Sequence, residues 1–114
     1  MRDVGYYMQS LEIACKIEDR KTESIALCNL GKAHADLDET CKAIDYYEQS
    51  LEISLKIEYL RGEGDALFNK SLALEKLGQR PEAIDHATAA LKIFEQIESP
   101  DAEKARQKLS EWQG

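Results

Sequence analysis

The nine residues SLEIACKIE at 10–18 recur almost unchanged as SLEISLKIE at 50–58, forty positions later. Laying residues 6–45 over 46–85 without gaps matches 19 of 40 positions, whereas 46–74 over 86–114 matches far fewer. A fixed period of this length is typical of architectures in which each unit stacks on the next. Decay in the last unit is expected where a terminal repeat presents a polar outer face. The period therefore predicts a stacked array.

Within each unit the apolar residues recur at three- and four-residue steps, which is the spacing of one helix face. In one segment this face is formed by Ala26, Leu27, Leu30, Ala33, His34 and Leu37. In the next segment it is formed by Ala43, Ile44, Tyr47, Leu51 and Ser54. Each unit is therefore predicted to be a helical hairpin.

Short breaks with capping residues separate these segments. Thr40 is a candidate N-cap, and Gly78 stands where a helix end favours a left-handed residue. Pro81 suits a first helical turn, and Ser99 is a candidate cap before Pro100. These signals predict an all-α chain of about six helices, at 3–18, 21–37, 40–58, 61–77, 80–97 and 100–112.

A single domain over 1–114 accommodates these helices, because one hairpin alone cannot bury its apolar faces. We divide it into 1–19, the second helix of an incomplete repeat; 20–59 and 60–98, two repeats; and 99–114, a C-terminal capping helix.

The stretch ALCNLGKAHADLDETCKAIDYYEQSLEI resembles a tetratricopeptide repeat, and LFNKSLALEKLGQRPEAIDHATAALKI repeats the pattern. The spaced large and small positions are held by Leu27, Leu30, Gly31, His34, Ala43, Tyr47 and Ser50, and then by Leu67, Ser71, Leu74, Ala83, Ala87 and Ala90. The forty-residue period is similar to the long-helix variety found in kinesin light chains and prokaryotic regulatory proteins. The resemblance implies an α-solenoid of antiparallel helical hairpins. His34, Lys70 and Ser71 depart from the family pattern.

The N-terminal helix has no partner within its own repeat. Its apolar face carries Val4, Tyr7, Leu11 and Ala14. Exposed apolar faces of this kind usually mark an interface. Either the chain is part of a longer array, or another chain covers this face in a dimer or a helix-swapped pair.

Composition excludes several classes of function. A formal net charge of −7 with interspersed signs disfavours nucleic acid and anionic membranes as partners. No apolar run could span a bilayer or act as a signal peptide, which predicts a cytoplasmic protein. The three cysteines lack metal-ligand spacing, and no phosphate loop or catalytic triad appears. We therefore expect no enzyme activity, no cofactor and no metal, with His34 as a packing residue.

The resemblance also implies that the first helices of the units line a groove that holds a peptide or a helical segment of a partner. Asn29 and Asn69 are carried over as in-register amides that could bond a peptide backbone. The full set expected to line the groove is Asn29, Lys32, Asp36, Asp65, Phe68, Asn69, Leu72, Glu75 and Lys76. Cys28 stands where a carboxylate-binding lysine would be needed, and Leu72, Asp65 and Glu75 make the rest of the groove apolar or acidic, which would repel an acidic tail. Phe68 and Leu72 flanked by mixed charge suit an amphipathic segment.

Three functions remain open at the level of sequence. The first is a protein-interaction scaffold that binds its partner in the groove. The second is a self-associating structural unit, and the third is a regulatory segment of a larger signalling ATPase or transcription regulator.

Overall fold

A computed structural model describes residues 19–113, and these residues form a succession of α-helices without strands. The helices are α1 (Arg20–Asp36), α2 (Thr40–Lys56), α3 (Leu60–Lys76), α4 (Arg80–Gln96) and α5 (Asp101–Gln113). Three-residue linkers join α1 to α2, α2 to α3 and α3 to α4, so successive helices run antiparallel. Each helix packs mainly on its neighbours in the chain, and α1 also contacts α3. The described chain is thus a helical solenoid, as the sequence predicts.

The linkers share one backbone conformation that repeats every twenty residues. The second residue of each linker has a positive φ: 60° at Asp38, 55° at Glu58, 80° at Gly78 and 55° at Glu98. The residue that follows donates its N–H to a carbonyl five positions earlier, as in the bonds from Glu39 to His34, Tyr59 to Ser54, Gln79 to Leu74 and Ser99 to Phe94. This bond satisfies a carbonyl at the helix end that would otherwise lack a partner. The repeated linker fixes both the reversal and the pitch of the array.

The predicted helix boundaries from residue 20 onward are confirmed to within two residues. Gly78 has the expected left-handed conformation, and Pro81 lies in the first turn of α4. Ser99 accepts the Asp101 N–H at 3.1 Å, so it does cap α5. The prediction of Thr40 as an N-cap is wrong, because the linker places Glu39 at the cap position and Thr40 inside the helix. The helix predicted at 3–18 lies outside the described residues.

Close contact between α1 and α2 depends on a glycine opposite a tyrosine. Gly31 is buried against Tyr47, and a Cβ at position 31 would lie 2.5 Å from the Tyr47 Cε1 and 3.1 Å from the Ala43 carbonyl oxygen. The ring of Tyr47 is buried in the space that glycine leaves, with Ala43 beside it in the same cluster. The absence of a side chain at Gly31 therefore allows the paired helices to approach.

The second hairpin, α3 with α4, has different residues at the positions equivalent to Gly31 and Tyr47. One period after Gly31 and Tyr47 stand Ser71 and Ala87, both fully buried, so a smaller partner makes room for the serine Cβ. Further along the same hairpin, Gly64 of α3 lies against Phe94 of α4, and a Cβ at position 64 would lie 2.6 Å from the ring. Each hairpin therefore has one glycine on its first helix packed against an aromatic ring on its second.

A buried trio of serines fills the position of this glycine–phenylalanine pair in the first hairpin. Ser24 is one period before Gly64, and Ser54 is one period before Phe94. The hydroxyls of Ser24 and Ser54 are 2.6 Å apart. Ser24 donates to the Ser50 carbonyl at 3.1 Å, and Ser50 donates to the Ser24 carbonyl at 2.8 Å. Reciprocal bonding removes the cost of burying these hydroxyls between α1 and α2.

Some apolar residues predicted to pack are instead exposed. Leu37 was placed on the apolar face of the first hairpin, but it is the C-cap of α1 and is 55% exposed. Its repeat mate Leu77 is 42% exposed for the same reason, since the helix turns away at this residue. Among the helices of residues 19–113, none is both long and apolar enough to cross a membrane.

Candidate functional site

The first helices of the successive units, α1, α3 and α5, contribute side chains to one common face of the solenoid. We call it the first-helix face. It carries two neighbouring clefts that share Lys32, Asn69 and Leu72. The shared residues make the clefts one continuous depression along the array.

The upper cleft has a volume of about 290 Å³ and lies between α1 and α3, with α2 at its base. Tyr47 and Ala73 supply apolar walls, and burial raises the pKa of the Tyr47 hydroxyl. The complete lining is Lys32, Ala35, Asp36, Thr40, Tyr47, Asn69, Leu72, Ala73 and Lys76. Four of these residues come from the predicted groove set in addition to Asn69.

The lower cleft, of about 400 Å³, lies between α3 and α5. Its apolar part is built on Phe68 and Phe94, whose rings meet edge to face with centroids 6.2 Å apart. This contact fixes the Phe68 ring, which the sequence had placed on this face. The complete lining is Lys32, Asp65, Phe68, Asn69, Leu72, Phe94, Asp101, Lys104, Gln107 and Lys108.

Asn69 separates the two clefts and is held by local hydrogen bonds. Its Nδ2 donates to the Asp65 carbonyl at 2.8 Å and to the Cys28 Sγ at 3.8 Å. The second bond crosses from α3 to α1, which ties the two first helices together at the cleft. Asn69 therefore has a structural role as well as a position on the candidate surface.

Asn29 occupies a different place from Asn69 despite its matching repeat position. It lines a smaller cavity of about 50 Å³ with Ser24, Cys28, Lys32 and Asp65 among its neighbours. The two asparagines are thus on the same face, but Asn29 lies outside both larger clefts. Glu75 also lies outside them and pairs with Arg80 at 2.9 Å.

Asp65 is the half-buried charge of the site. Burial, with a smaller contribution from nearby Asp101, raises the pKa of its carboxyl, while Arg61 and Lys32 act in the opposite direction. Within residues 19–113 no lysine or arginine nitrogen lies within 4 Å of this carboxylate. The cleft therefore contains a carboxylate that is partly removed from water and has no ion pair inside the described chain.

Cys28 lies beneath the first-helix face, and its thiol is unreactive near neutral pH. Burial raises the pKa of its thiol to about 11, so the thiol stays protonated near neutral pH. Cys28 belongs to the buried cluster that contains Ala43 and Tyr47. Cys41, by contrast, is an exposed free cysteine on α2.

The last helix supplies cleft residues that the predicted groove set does not contain. Lys104, Gln107 and Lys108 all line the lower cleft. Lysines from α1, α3 and α5 therefore border the clefts beside the acidic and apolar residues predicted to line the groove. Repeating the forty-residue register once more would have found Lys108, which stands one period after Phe68 and two after Cys28.

His34 is a packing residue at the edge of this region, as predicted. Its Nδ1 lies 2.7 Å from the Glu39 Oε1, and its ring stacks on Tyr46 with centroids 5.2 Å apart. The hydrogen bond from His34 lowers the pKa of Glu39. No cluster of three or more metal-ligating side chains occurs in the described part of the chain.

Comparison with known protein families agrees with this architecture. Residues 25–56, which cover most of α1 and all of α2, match the tetratricopeptide repeat model. No curated protein matches the chain. The matched residues form the Gly31–Tyr47 hairpin, and α3 with α4 repeats that hairpin one period later. Residues 25–56 of the chain are thus identified as a tetratricopeptide repeat.

Proposed function

We propose that this chain is a non-enzymatic interaction module that binds a peptide or helical segment of a partner protein on its first-helix face. A tetratricopeptide repeat indicates a protein-interaction module. The observation that carries the proposal is the continuous depression lined by three successive first helices. An apolar floor with a few polar groups around it is the usual composition of a ligand site.

The two clefts contribute apolar and charged groups to recognition of a partner. Phe68 and Leu72 offer apolar area to an anchor side chain, which is where binding energy concentrates in protein interfaces. Lys76 and Asp36 border the upper cleft, and their charges favour a partner of complementary pattern. Lys76 also pairs with Asp38 at 3.1 Å in the adjoining linker, so a ligand must compete for it.

Peptides selected from a random library for binding to the chain test the proposal. Leu72 borders both clefts, so Leu72→Asp should abolish binding of the selected peptides. Leu55→Asp is the matched control, because Leu55 is 54% exposed on α2 and borders neither cleft. Equal loss in both variants, or retained binding in the first, would contradict the assignment of the site.

Alanine at both Asn29 and Asn69 provides a finer test. If each amide contributes a hydrogen bond to a bound backbone, the double variant should bind roughly 10-fold more weakly or worse. Asn69→Ala also removes the bonds to Asp65 and Cys28, so its thermal stability must be measured alongside. A loss of stability with unchanged affinity would assign both asparagines a structural role alone.

Self-association remains a separate prediction. The face that would mediate it, formed by Val4, Tyr7, Leu11 and Ala14, lies outside the described residues. Sedimentation equilibrium over a range of concentrations tests it, and a monomer at high concentration would contradict it.

A further inference from the structure

Two charges of opposite sign border the lower cleft and have no ion-pair partner in the described chain. Lys32 on α1 borders both clefts and the small cavity, and Asp65 on α3 borders the lower cleft and the small cavity. Within residues 19–113, neither side chain has an oppositely charged atom within 4 Å. Both therefore remain available to a ligand.

Other charges around the cleft are already engaged. Lys104 lies 3.6 Å from the Asp101 carboxylate, and Lys108 lies 3.4 Å from that of Glu111. Asp101 also approaches Arg61 at 3.9 Å. A ligand that used these groups would first have to displace an existing pair, so Lys32 and Asp65 are the charges that select it.

The positions of Lys32 and Asp65 set the distance between the complementary charges on a bound peptide. α1 and α3 run parallel, because each is antiparallel to α2, and the Asn69–Cys28 bond fixes their register. Lys32 has Leu72 as its repeat mate, and Leu72 is seven residues after Asp65. At a rise of 1.5 Å per residue, the Cα atom of Asp65 lies about 10 Å along the helices from the level of the Lys32 Cα atom. An extended peptide covers this offset in about three residues.

The region between the charges is apolar. Phe68 lies on α3 between the level of Asp65 and the level of Lys32, Leu72 lies at the level of Lys32, and both border the lower cleft. Taking the proposed function as its basis, we infer that the site selects an extended segment with a basic and an acidic side chain about three residues apart. An apolar side chain lies between them. The basic group approaches Asp65, and the acidic group approaches Lys32.

Four synthetic heptapeptides with blocked ends test this inference. They share a central leucine and differ in two positions three residues apart, which carry Arg and Glu, two Arg, two Glu, or two Gln. Fluorescence anisotropy at low ionic strength should show the Arg/Glu peptide binding about 3- to 10-fold more tightly than the others, as expected for partly exposed charge pairs.

Charge reversal in the protein should switch this preference. Asp65→Lys leaves two cations at the site and should make the Glu/Glu peptide the tightest ligand. Lys32→Glu leaves two anions and should favour the Arg/Arg peptide. Asp85→Lys and Lys92→Glu make the same changes of net charge at exposed positions of α4 outside both clefts, and they should keep the original order.

The outcomes separate the inference from the proposed function. Binding that does not depend on peptide charge, or no binding of any of the four peptides, overturns the inference. If library-selected peptides still lose affinity with Leu72→Asp, the proposed function stands without it. Binding of these peptides that survives Leu72→Asp overturns the proposed function. A preference that switches in the two cleft variants and not in the controls supports both.

Discussion

Gly31 and Tyr47 are complementary in size, because the Tyr47 ring occupies the space in which a Cβ at position 31 would lie. The relationship links one residue of the first helix to one of the second, and it sets how closely the two helices approach. The repeat mates of this pair are Ser71 and Ala87, both fully buried, with a larger residue than glycine on the first helix and a smaller one than tyrosine on the second.

Gly31→Ala should therefore destabilise the chain by about 1–3 kcal/mol, which is the usual cost of overpacking a core. Urea unfolding followed by circular dichroism measures the change. Gly31→Ser with Tyr47→Ala copies the second hairpin, and the two changes together should cost less than the sum of the single variants. Additive losses would show that Gly31 does not act through Tyr47.

The linker residues with a left-handed backbone conformation predict opposite changes in the free energy of unfolding for two substitutions. Gly78→Ala should lower the free energy of unfolding by about 1 kcal/mol, since a Cβ is strained at φ 80° even though the space around it is open. Glu98→Gly should raise it by up to about 1 kcal/mol, because φ is 55° there. Glu98→Gln is the control for charge and should change little. Thermal unfolding of the three variants gives the comparison.

Asp65 predicts a dependence of stability on pH. Burial raises its pKa in the folded state, so folding favours the protonated form and the charged form costs stability at neutral pH. Asp65→Asn should therefore raise the melting temperature at pH 7. The gain should shrink as the pH falls through the raised pKa and vanish below the ordinary value of 3.8.

Asp85→Asn is the control for this experiment, because Asp85 is exposed on α4. Its melting temperature relative to the parent chain should hardly change between pH 3 and pH 7. A gain for Asp65→Asn that is constant over this range would show that the effect arises from packing and not from charge burial.

The two described cysteines should react at very different rates. Cys41 is exposed, whereas Cys28 is buried and its pKa is raised to about 11. Iodoacetamide at pH 8 should alkylate Cys41 rapidly and Cys28 only after urea is added, because the thiolate is the reactive form. Peptide mapping by mass spectrometry identifies each site. Equal labelling in the native protein would show that the packing around Cys28, beneath the first-helix face, opens readily.

The helices could be predicted from the sequence because their apolar periodicity and their forty-residue recurrence point to the same boundaries. The linkers were harder to predict from the sequence. Gly78 signals a left-handed residue, but Asp38 has the same conformation without a glycine, which is why the cap was assigned to Thr40 and not Glu39. A backbone bond to the helix end fixes the linker, and side-chain propensity does not reveal such a bond.

The cleft residues on α1 and α3 could be predicted because these two helices repeat each other visibly in the sequence. Those on α5 could not, because the last unit matches the earlier ones at few positions. Phe68 and Leu72 were found because α3 repeats α1 closely. Lys108 was missed because the equivalent positions of the earlier units hold Cys28 and Phe68, which are chemically unlike lysine. Similarity between the units could therefore not identify it. The bond from Asn69 to Cys28 joins α3 to α1, and only coordinates could show it.

The packing of each helix mainly on its neighbours in the chain has a consequence for folding. Contacts between adjacent antiparallel helices are close in sequence, and chains rich in such contacts fold quickly. Unfolding can also begin at one end and proceed hairpin by hairpin, since stability passes only from neighbour to neighbour. Amide exchange should therefore be graded along the array, with α5 opening before the α2–α3 junction at its middle.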